Sequence, residues 1–265
     1  MSVPQFVALA LFLFFSVLFG RFGVGGGAVY TPIQLFIGVP FNEAATVSLF
    51  LIAVTSVSCG VVYVRAHLID TPSVAMLAVF SFTGSLCGGW SAGRVPEEVL
   101  AGLFAFFLLV NGAHLAFSDI REGYCEPSSL PRRLLWERTI AGERVVINLP
   151  LALPIAFLSG IFGGMVGLGG GIVMLPLMVT ILRFPIKVAI ATSSFLALAT
   201  GIGGLLTHLT HTAAPWGFMI PAALMVAIGS SIGARWTVQS HSKRIRRLLG
   251  LFFVAIAILL FFRGY

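Results

Sequence analysis

The stretch Gly167-Leu168-Gly169-Gly170-Gly171 decides how this chain folds, because it interrupts an apolar run that extends from residue 145 to residue 182. A single helix over that run would be about 57 Å long at roughly 1.5 Å per residue, whereas a bilayer core is only about 30 Å thick. Glycine is a weak helix former with a permissive backbone. We therefore predict two helical pieces joined at these glycines, an arrangement that we call a glycine elbow.

The first half of the chain contains the same pattern, as Gly23-Val24-Gly25-Gly26-Gly27 inside an apolar run from residue 4 to residue 39. Further residues recur in one collinear order across both halves, at an offset of 144 or 145 positions. The matched pairs include Pro32 with Pro176, Pro40 with Pro185, Ala44 with Ala189, Ser48 with Ser193, Thr55 with Thr200, Gly84 with Gly229 and Gly88 with Gly233. A biased composition would not produce this order, so we infer an internal duplication, which many transporter folds contain.

Composition assigns the chain to the all-α polytopic membrane proteins. Its 265 residues are 58% hydrophobic and 9% charged, with a mean hydropathy of +1.04, and a soluble core of this size cannot use so many apolar residues. The net charge of +7 comes from basic residues that cluster between apolar runs, as membrane topology requires. We divide the chain into a first membrane repeat (1–118), a partly ordered polar connector (119–144) and a second membrane repeat (145–265).

The elbows leave two possible topologies. We predict helical pieces at residues 4–20 and 28–37, followed by spans at residues 43–64, 72–92 and 100–117. If the chain continues across the membrane at each elbow, the repeats are parallel. The flanking basic residues are then divided eight to seven between the two sides of the membrane. If the chain turns back at each elbow, the repeats are inverted. Thirteen of these basic residues then lie on one side of the membrane, and only Arg94 and Arg263 lie on the other. Because basic residues favour the cytoplasmic side, we predict two inverted repeats, each a glycine-broken helical hairpin followed by three transmembrane helices, with both termini outside.

A hairpin that turns at the membrane midplane directs the start of its second helix toward the centre of the protein. The exposed N–H groups and the positive end of the helix dipole there favour an anion. Two elbows related by inversion would face each other across one site, and hydroxyl groups or an arginine nearby could complete it. The predicted substrate-binding residues are Arg21, Gly25, Gly26, Gly27, Thr46, Ser48, Gly169, Gly170, Gly171, Thr192, Ser193 and Ser194.

Each of these residues also has a purely structural interpretation. The glycines can serve close helix packing, the hydroxyls can donate to carbonyls of their own helix, and Arg21 can extend its side chain to the membrane interface. Close packing is the interpretation that we favour for a separate set of glycines in the Gly-x-x-x-Gly pattern, namely Gly84, Gly88, Gly229 and Gly233.

The sequence contains no pattern typical of a catalytic, metal or cofactor site. No Asp or Glu falls in the middle of a predicted span, whereas cation pumps and channels usually place carboxylates there. His208 and His211 lie three positions apart, but no carboxylate is near them in sequence, so we interpret both as interfacial histidines. We predict neither an enzyme nor a bound cofactor.

Three predicted elements occur twice in the same order, namely a glycine-rich broken helix, a Thr/Ser-bearing helix and a Gly-x-x-x-Gly helix. In this order the chain resembles the TauE/SafE family of sulfite and organosulfur-anion exporters. The residues that carry the resemblance are Gly167-Leu168-Gly169-Gly170-Gly171 with Pro176, Ala191-Thr192-Ser193, and Gly229 with Gly233-Ala234, together with their first-half partners. The first half departs from the pattern at Thr46-Val47-Ser48, where a valine separates the hydroxyl residues, and at Gly89, which replaces the alanine. The resemblance implies export of a small sulfur oxyanion or sulfonate across the inner membrane.

The leading hypothesis is therefore a secondary transporter in the plasma membrane. Its expected partners are a small anion and membrane lipids, with no nucleic acid. An anion-selective channel that uses the same elbows is the alternative, and a membrane enzyme or a scaffold is disfavoured by the lack of a catalytic constellation. Neither the coupling ion nor the oligomeric state follows from the sequence.

Overall fold

The computed structural model describes residues 3–23, 25–117, 135–140, 143–180, 182, 184–239, 250–251 and 253–259. Within these residues the chain is mainly helical, and six helices are long and apolar enough to cross a membrane. The first half contains α1 (Val3–Gly20), α2 (Gly27–Phe36), α3 (Phe41–Arg65), α4 (Thr71–Ala92) and α5 (Glu97–Phe117). These bounds confirm the predicted pieces and spans, except that α5 begins at Glu97 instead of residue 100. Acidic residues are favourable in the first turn of a helix, and Glu97 and Glu98 occupy that turn.

The second half repeats the order of helices after a short pair of strands. Strands β1 (Leu135–Ile140) and β2 (Glu143–Asn148) pair antiparallel within and just after the predicted connector. The helices that follow are α6 (Leu149–Val166), α7 (Gly170–Thr180), α8 (Ile186–His208) and α9 (Trp216–Gln239), with further helical residues at 250–251 and 253–259. The second apolar run therefore begins in a strand. Helix α6 starts only after Asn148, whose side chain accepts a hydrogen bond from the Leu151 N–H at 3.3 Å, as an N-cap residue does.

The first helix of each half packs against the fourth helix of the other half, so that α1 lies against α9 and α6 lies against α4. A Cβ on Gly88 of α4 would overlap the carbonyl group of Ile161 on α6. A Cβ on its counterpart Gly233 of α9 would likewise overlap the carbonyl group of Val17 on α1. These contacts confirm that the Gly-x-x-x-Gly residues serve close helix packing.

The two central helices, α3 and α8, are equivalent in the duplication and run antiparallel. Gly60 near the end of α3 lies against Phe195 in the first half of α8. Gly201 in the second half of α8 lies beside the backbone of Leu49, which is nearer the start of α3. Equivalent helices of parallel repeats would run in the same direction, so this crossing favours inverted repeats. The inverted arrangement in a membrane stays a prediction.

The first elbow reverses the direction of the chain. Helix α1 ends at Gly20, whose carbonyl oxygen accepts a hydrogen bond of 2.8 Å from the Tyr63 hydroxyl near the end of α3. Helix α2 then runs back along α3, from Gly27 beside Ile52 to Gln34 beside the first turns of α3. The start of α2 therefore lies beside the middle of α3.

The second half uses a histidine at the position that Tyr63 holds in the first half. The Nε2 atom of His208 lies 3.0 Å from the carbonyl oxygen of Gly164, near the end of α6, and donates to it. His208 is buried, whereas His211 is exposed. His208 thus packs inside the protein, where its ring nitrogen satisfies a backbone carbonyl at the end of the broken helix, and the interfacial position of the two histidines stays a prediction.

Candidate functional site: two facing glycine elbows

The backbone of each elbow adopts left-handed conformations that glycine alone tolerates well. In the first elbow, Gly23, Gly25 and Gly26 have φ angles of 63°, 80° and 79°. In the second elbow, Gly167 and Gly169 have φ angles of 73° and 72°. A side chain at any of these positions would place Cβ against the following carbonyl. The shape of the elbow itself therefore requires these glycines.

The two elbows lie against each other in the interior of the protein. A Cβ on Gly27 would lie 2.8 Å from the carbonyl oxygen of Gly167, and one on Gly171 would lie 3.5 Å from the carbonyl oxygen of Gly23. The Ser193 hydroxyl lies 3.3 Å from that same Gly23 oxygen. The duplication relates the two glycine contacts to each other, and they place the starts of α2 and α7 side by side.

The backbone N–H groups of the elbows form two sets. Gly169 donates to the Gly163 carbonyl oxygen at 3.2 Å, and Gly170 donates to the Thr200 hydroxyl at 2.7 Å. The second set has no acceptor among the residues that the structure describes, and it comprises the N–H groups of Gly25, Gly26, Gly27 and Gly171. All four residues are buried. A buried donor without an acceptor is costly, so these groups are suited to an oxygen atom from outside the protein.

Polar side chains of the first half cluster beside the elbow contact. The Ser48 hydroxyl accepts hydrogen bonds from the Thr31 hydroxyl at 2.8 Å and from the Gln34 amide at 3.2 Å. Thr31 also lies 3.5 Å from a carbonyl oxygen of the second elbow. In the second half, Leu175 and Met178 occupy the positions equivalent to Thr31 and Gln34. This polar cluster therefore has no equivalent at these positions in the second half.

The other predicted hydroxyl residues contribute less to this contact. Thr46 and Ser194 each donate to a backbone carbonyl one turn earlier in their own helix, at 2.7 Å and 2.8 Å. Ser193 makes such a bond at 3.0 Å in addition to its contact with the first elbow. Thr192 is buried beside them on α8. Of the predicted hydroxyls, Ser193 contacts an elbow directly and Ser48 is linked to one through Thr31, whereas Thr46 and Ser194 fit the structural interpretation.

Arg21 lies just after the end of α1, where its backbone packs against α9. The Thr237 hydroxyl in the last turns of α9 donates to the carbonyl oxygen of Arg21. The elbows meet beside Ile52 in the middle of α3, whereas Arg21 is at the level of the helix ends. Arg21 is also partly buried, with some of its surface exposed. This position accords with a side chain that extends to the membrane interface.

Sequence reasoning missed several residues beside the elbows. Gln34 Oε1 and Ser81 Oγ are buried and have no hydrogen-bond partner among the described residues. A Cβ on Gly170 would lie 3.2 Å from the Ser81 hydroxyl and 2.7 Å from the Thr200 methyl group. Thr200 has a threonine counterpart in the first half, Thr55, and this repetition was a sign in the sequence that the position matters. Thr31, Gln34 and Ser81 have apolar counterparts, so the duplication could not mark them.

The polar groups around the elbows carry no fixed charge. The buried polar side chains in the described part of the chain are Ser, Thr, Asn, Gln and one His, with no Asp, Glu, Lys or Arg. The described residues also include no group of three or more His, Cys, Asp or Glu side chains that could hold a metal ion. An anion at the elbows would therefore be held by backbone dipoles and hydroxyl groups.

A comparison with protein families decides the class to which this chain belongs. The family described as "Sulfite exporter TauE/SafE" matches residues 8–260. The chain belongs to the TauE/SafE family. The match covers nearly all of both repeats and the whole connector, which confirms the resemblance found in the sequence.

Relatives of this chain are similar to it along most of their length. "Probable membrane transporter protein YunE" of Bacillus subtilis (strain 168) is 26% identical over 255 residues, which cover 91% of this chain and 92% of the relative. Proteins with the same description from Methanocaldococcus jannaschii and from Xylella fastidiosa (strain Temecula1) are 27% and 29% identical, covering 88% and 93% of this chain and 86% and 90% of the relatives. No solved structure matches the chain. These relatives and the apolar helices confirm a multi-pass membrane protein of a transporter family.

Proposed function

We propose that this protein is a secondary transporter that exports a small sulfur-containing anion, such as sulfite, thiosulfate or a sulfonate, across the inner membrane. The family description supports sulfite, and the names of the relatives support membrane transport. The observation that carries the proposal is the contact between two glycine elbows inside the protein. The proposal assigns the protein no enzymatic reaction.

The chemistry of the elbow contact suits an oxyanion. The N–H groups without a protein acceptor lie at the starts of α2 and α7, where the helix dipoles are positive. Ser48 accepts two hydrogen bonds, and its own hydroxyl hydrogen has no acceptor among the described residues. The two elbows are in contact, so these donors lie near one another, and the oxygens of a small anion require several donors. No buried carboxylate in the described residues would repel the anion.

The proposal includes a topology. The antiparallel crossing of α3 and α8 supports inverted repeats. The distribution of Lys and Arg supports a cytoplasmic connector and a cytoplasmic basic cluster at residues 243–247, with both termini and the Arg94 loop outside.

Counterflow in proteoliposomes tests the transport mode. Vesicles that contain the purified protein are loaded with unlabelled sulfite, and radiolabelled sulfite is added outside. A carrier should accumulate label transiently and saturate as the sulfite concentration rises. A channel, which is the alternative function, would show currents that follow the voltage and no counterflow. Absence of protein-dependent flux for sulfite, thiosulfate and small sulfonates would contradict the proposal.

Two serine variants of the same helix test the site. Ser48→Ala should weaken sulfite affinity at least about tenfold, because a hydrogen bond to a charged group contributes about 1.5–3 kcal/mol. Ser58 on α3 donates to the Val54 carbonyl oxygen at 2.9 Å and does not touch the elbows, so Ser58→Ala is the matched control. Equal sulfite affinities for the two variants would contradict a substrate site at the elbows.

A further inference from the structure

We propose that Ile52 sets the size of the largest anion that the paired elbows accept, an inference that rests on the proposed function. Ile52 is completely buried in the middle of α3. Its methyl carbons face the elbow glycines of both halves. A Cβ on Gly25, Gly27 or Gly169 would lie 2.8, 2.5 or 3.1 Å from the nearest Ile52 atom. One apolar side chain therefore borders the place where the two elbows meet.

The duplication gives Ile52 a much smaller counterpart, Ala197 on α8. A Cβ on Gly25 would lie 3.3 Å from the Ala197 methyl group, and one on Gly171 would lie 2.9 Å from it. The two residues thus border the elbow contact from opposite helices, one with a branched side chain and one with a single methyl group. This asymmetry leaves Ile52 as the larger of the two space-filling groups.

The physical role of Ile52 follows from its chemistry. A hydrocarbon side chain offers an oxyanion no hydrogen bond, so Ile52 contributes volume and not affinity. Protein interiors are closely packed, so a substrate larger than the remaining space must displace this side chain. One methylene group in an apolar pocket changes discrimination by about 10- to 200-fold. Replacing Ile52 by alanine would make the first half resemble the second and create space for an alkyl group.

Competition between sulfonates of increasing chain length tests this role. Uptake of radiolabelled sulfite into proteoliposomes is measured with methanesulfonate or butanesulfonate as the competitor. We expect the ratio of the inhibition constants, butanesulfonate to methanesulfonate, to fall at least about tenfold in Ile52→Ala and by less in Ile52→Val. Leu51→Ala is the matched control, because Leu51 is buried on the same helix but is not among the atoms nearest to any elbow glycine. Its ratio should equal that of the wild type.

The outcomes separate the two proposals. An unchanged ratio in an Ile52 variant that still transports sulfite would overturn the role of Ile52 and leave the proposed function intact. A wild-type protein with no sulfite or sulfonate flux would overturn both proposals. If Ile52→Ala does not fold, Ile52→Val decides the question, because it removes a single methyl group from the same position.

Discussion

Gly164→Ala is the substitution whose effect the helix packing predicts most directly. An added Cβ would lie 2.5 Å from the carbonyl oxygen of Ser85 on α4 and 2.8 Å from its Cα atom. Side chains do not approach backbone atoms so closely in a packed interior. Helices α4 and α6 would therefore have to separate by several tenths of an ångström along a tightly packed interface.

The magnitude follows from two opposing effects. Overpacking of this kind costs about 1–3 kcal/mol, whereas alanine is a better helix former than glycine by about 0.8–1.0 kcal/mol. Gly102→Ala on α5 is the matched control, because no atom lies within 4 Å of its added Cβ. Since both variants gain helix propensity, we expect Gly164→Ala to be less stable than Gly102→Ala by about 1–3 kcal/mol.

Thermal unfolding of the purified variants in detergent measures this difference. Gly20→Ala should behave like Gly164→Ala, because its added Cβ would lie 2.5 Å from the Ser230 carbonyl oxygen on α9, in the duplicated interface. Equal melting temperatures for Gly164→Ala and Gly102→Ala would refute the packing of α6 on α4. A lower melting temperature for Gly164→Ala without a lower melting temperature for Gly20→Ala would refute the equivalence of the two interfaces.

Thr200→Val removes the acceptor of the Gly170 N–H group without changing the shape of the side chain. It should lower the free energy of unfolding by about 1–3 kcal/mol, and Thr200→Ser should restore most of that loss in the same unfolding assay. Tyr63→Phe removes the hydrogen bond to the Gly20 carbonyl oxygen and should cost about 0.5–1.5 kcal/mol, so an unchanged melting temperature would contradict that bond. A cysteine at Ser129 should react with an impermeant maleimide only in opened cells, because the connector is predicted to be cytoplasmic, and labelling in intact cells would contradict the inverted topology.

The sequence was sufficient to predict the elbows and most of the helices, although the second apolar run begins in strand β2. Apolar runs too long for one span had to break, and glycine was the residue type at which a break was least costly. The breaks observed between α1 and α2 and between α6 and α7 contain these glycines. The duplication was visible because the helix-packing glycines, such as Gly88 and Gly233, face backbone carbonyl groups and tolerate no side chain.

The sequence could not predict which side chains border the elbows. Ile52 is one apolar residue among many on α3, and only the contact between the two halves distinguishes it. Thr31 and Gln34 come close to Ser48 because α2 runs back along α3, and their second-half counterparts are apolar. The contact of His208 with the Gly164 carbonyl oxygen could not be predicted either, because such a contact leaves no mark in sequence spacing.

Glycine-selective isotope labelling, followed by NMR titration of the purified protein with sulfite, tests most directly whether backbone N–H groups of the elbows bind the anion. We predict that sulfite moves the amide-proton signals of the elbow glycines downfield, because an N–H group that donates to an anion is deshielded. The signals concerned are those of Gly25, Gly26, Gly27 and Gly171. Gly102, which lies inside α5 with open space around it, should not respond. Elbow signals that stay unchanged at sulfite concentrations that saturate transport would contradict the site.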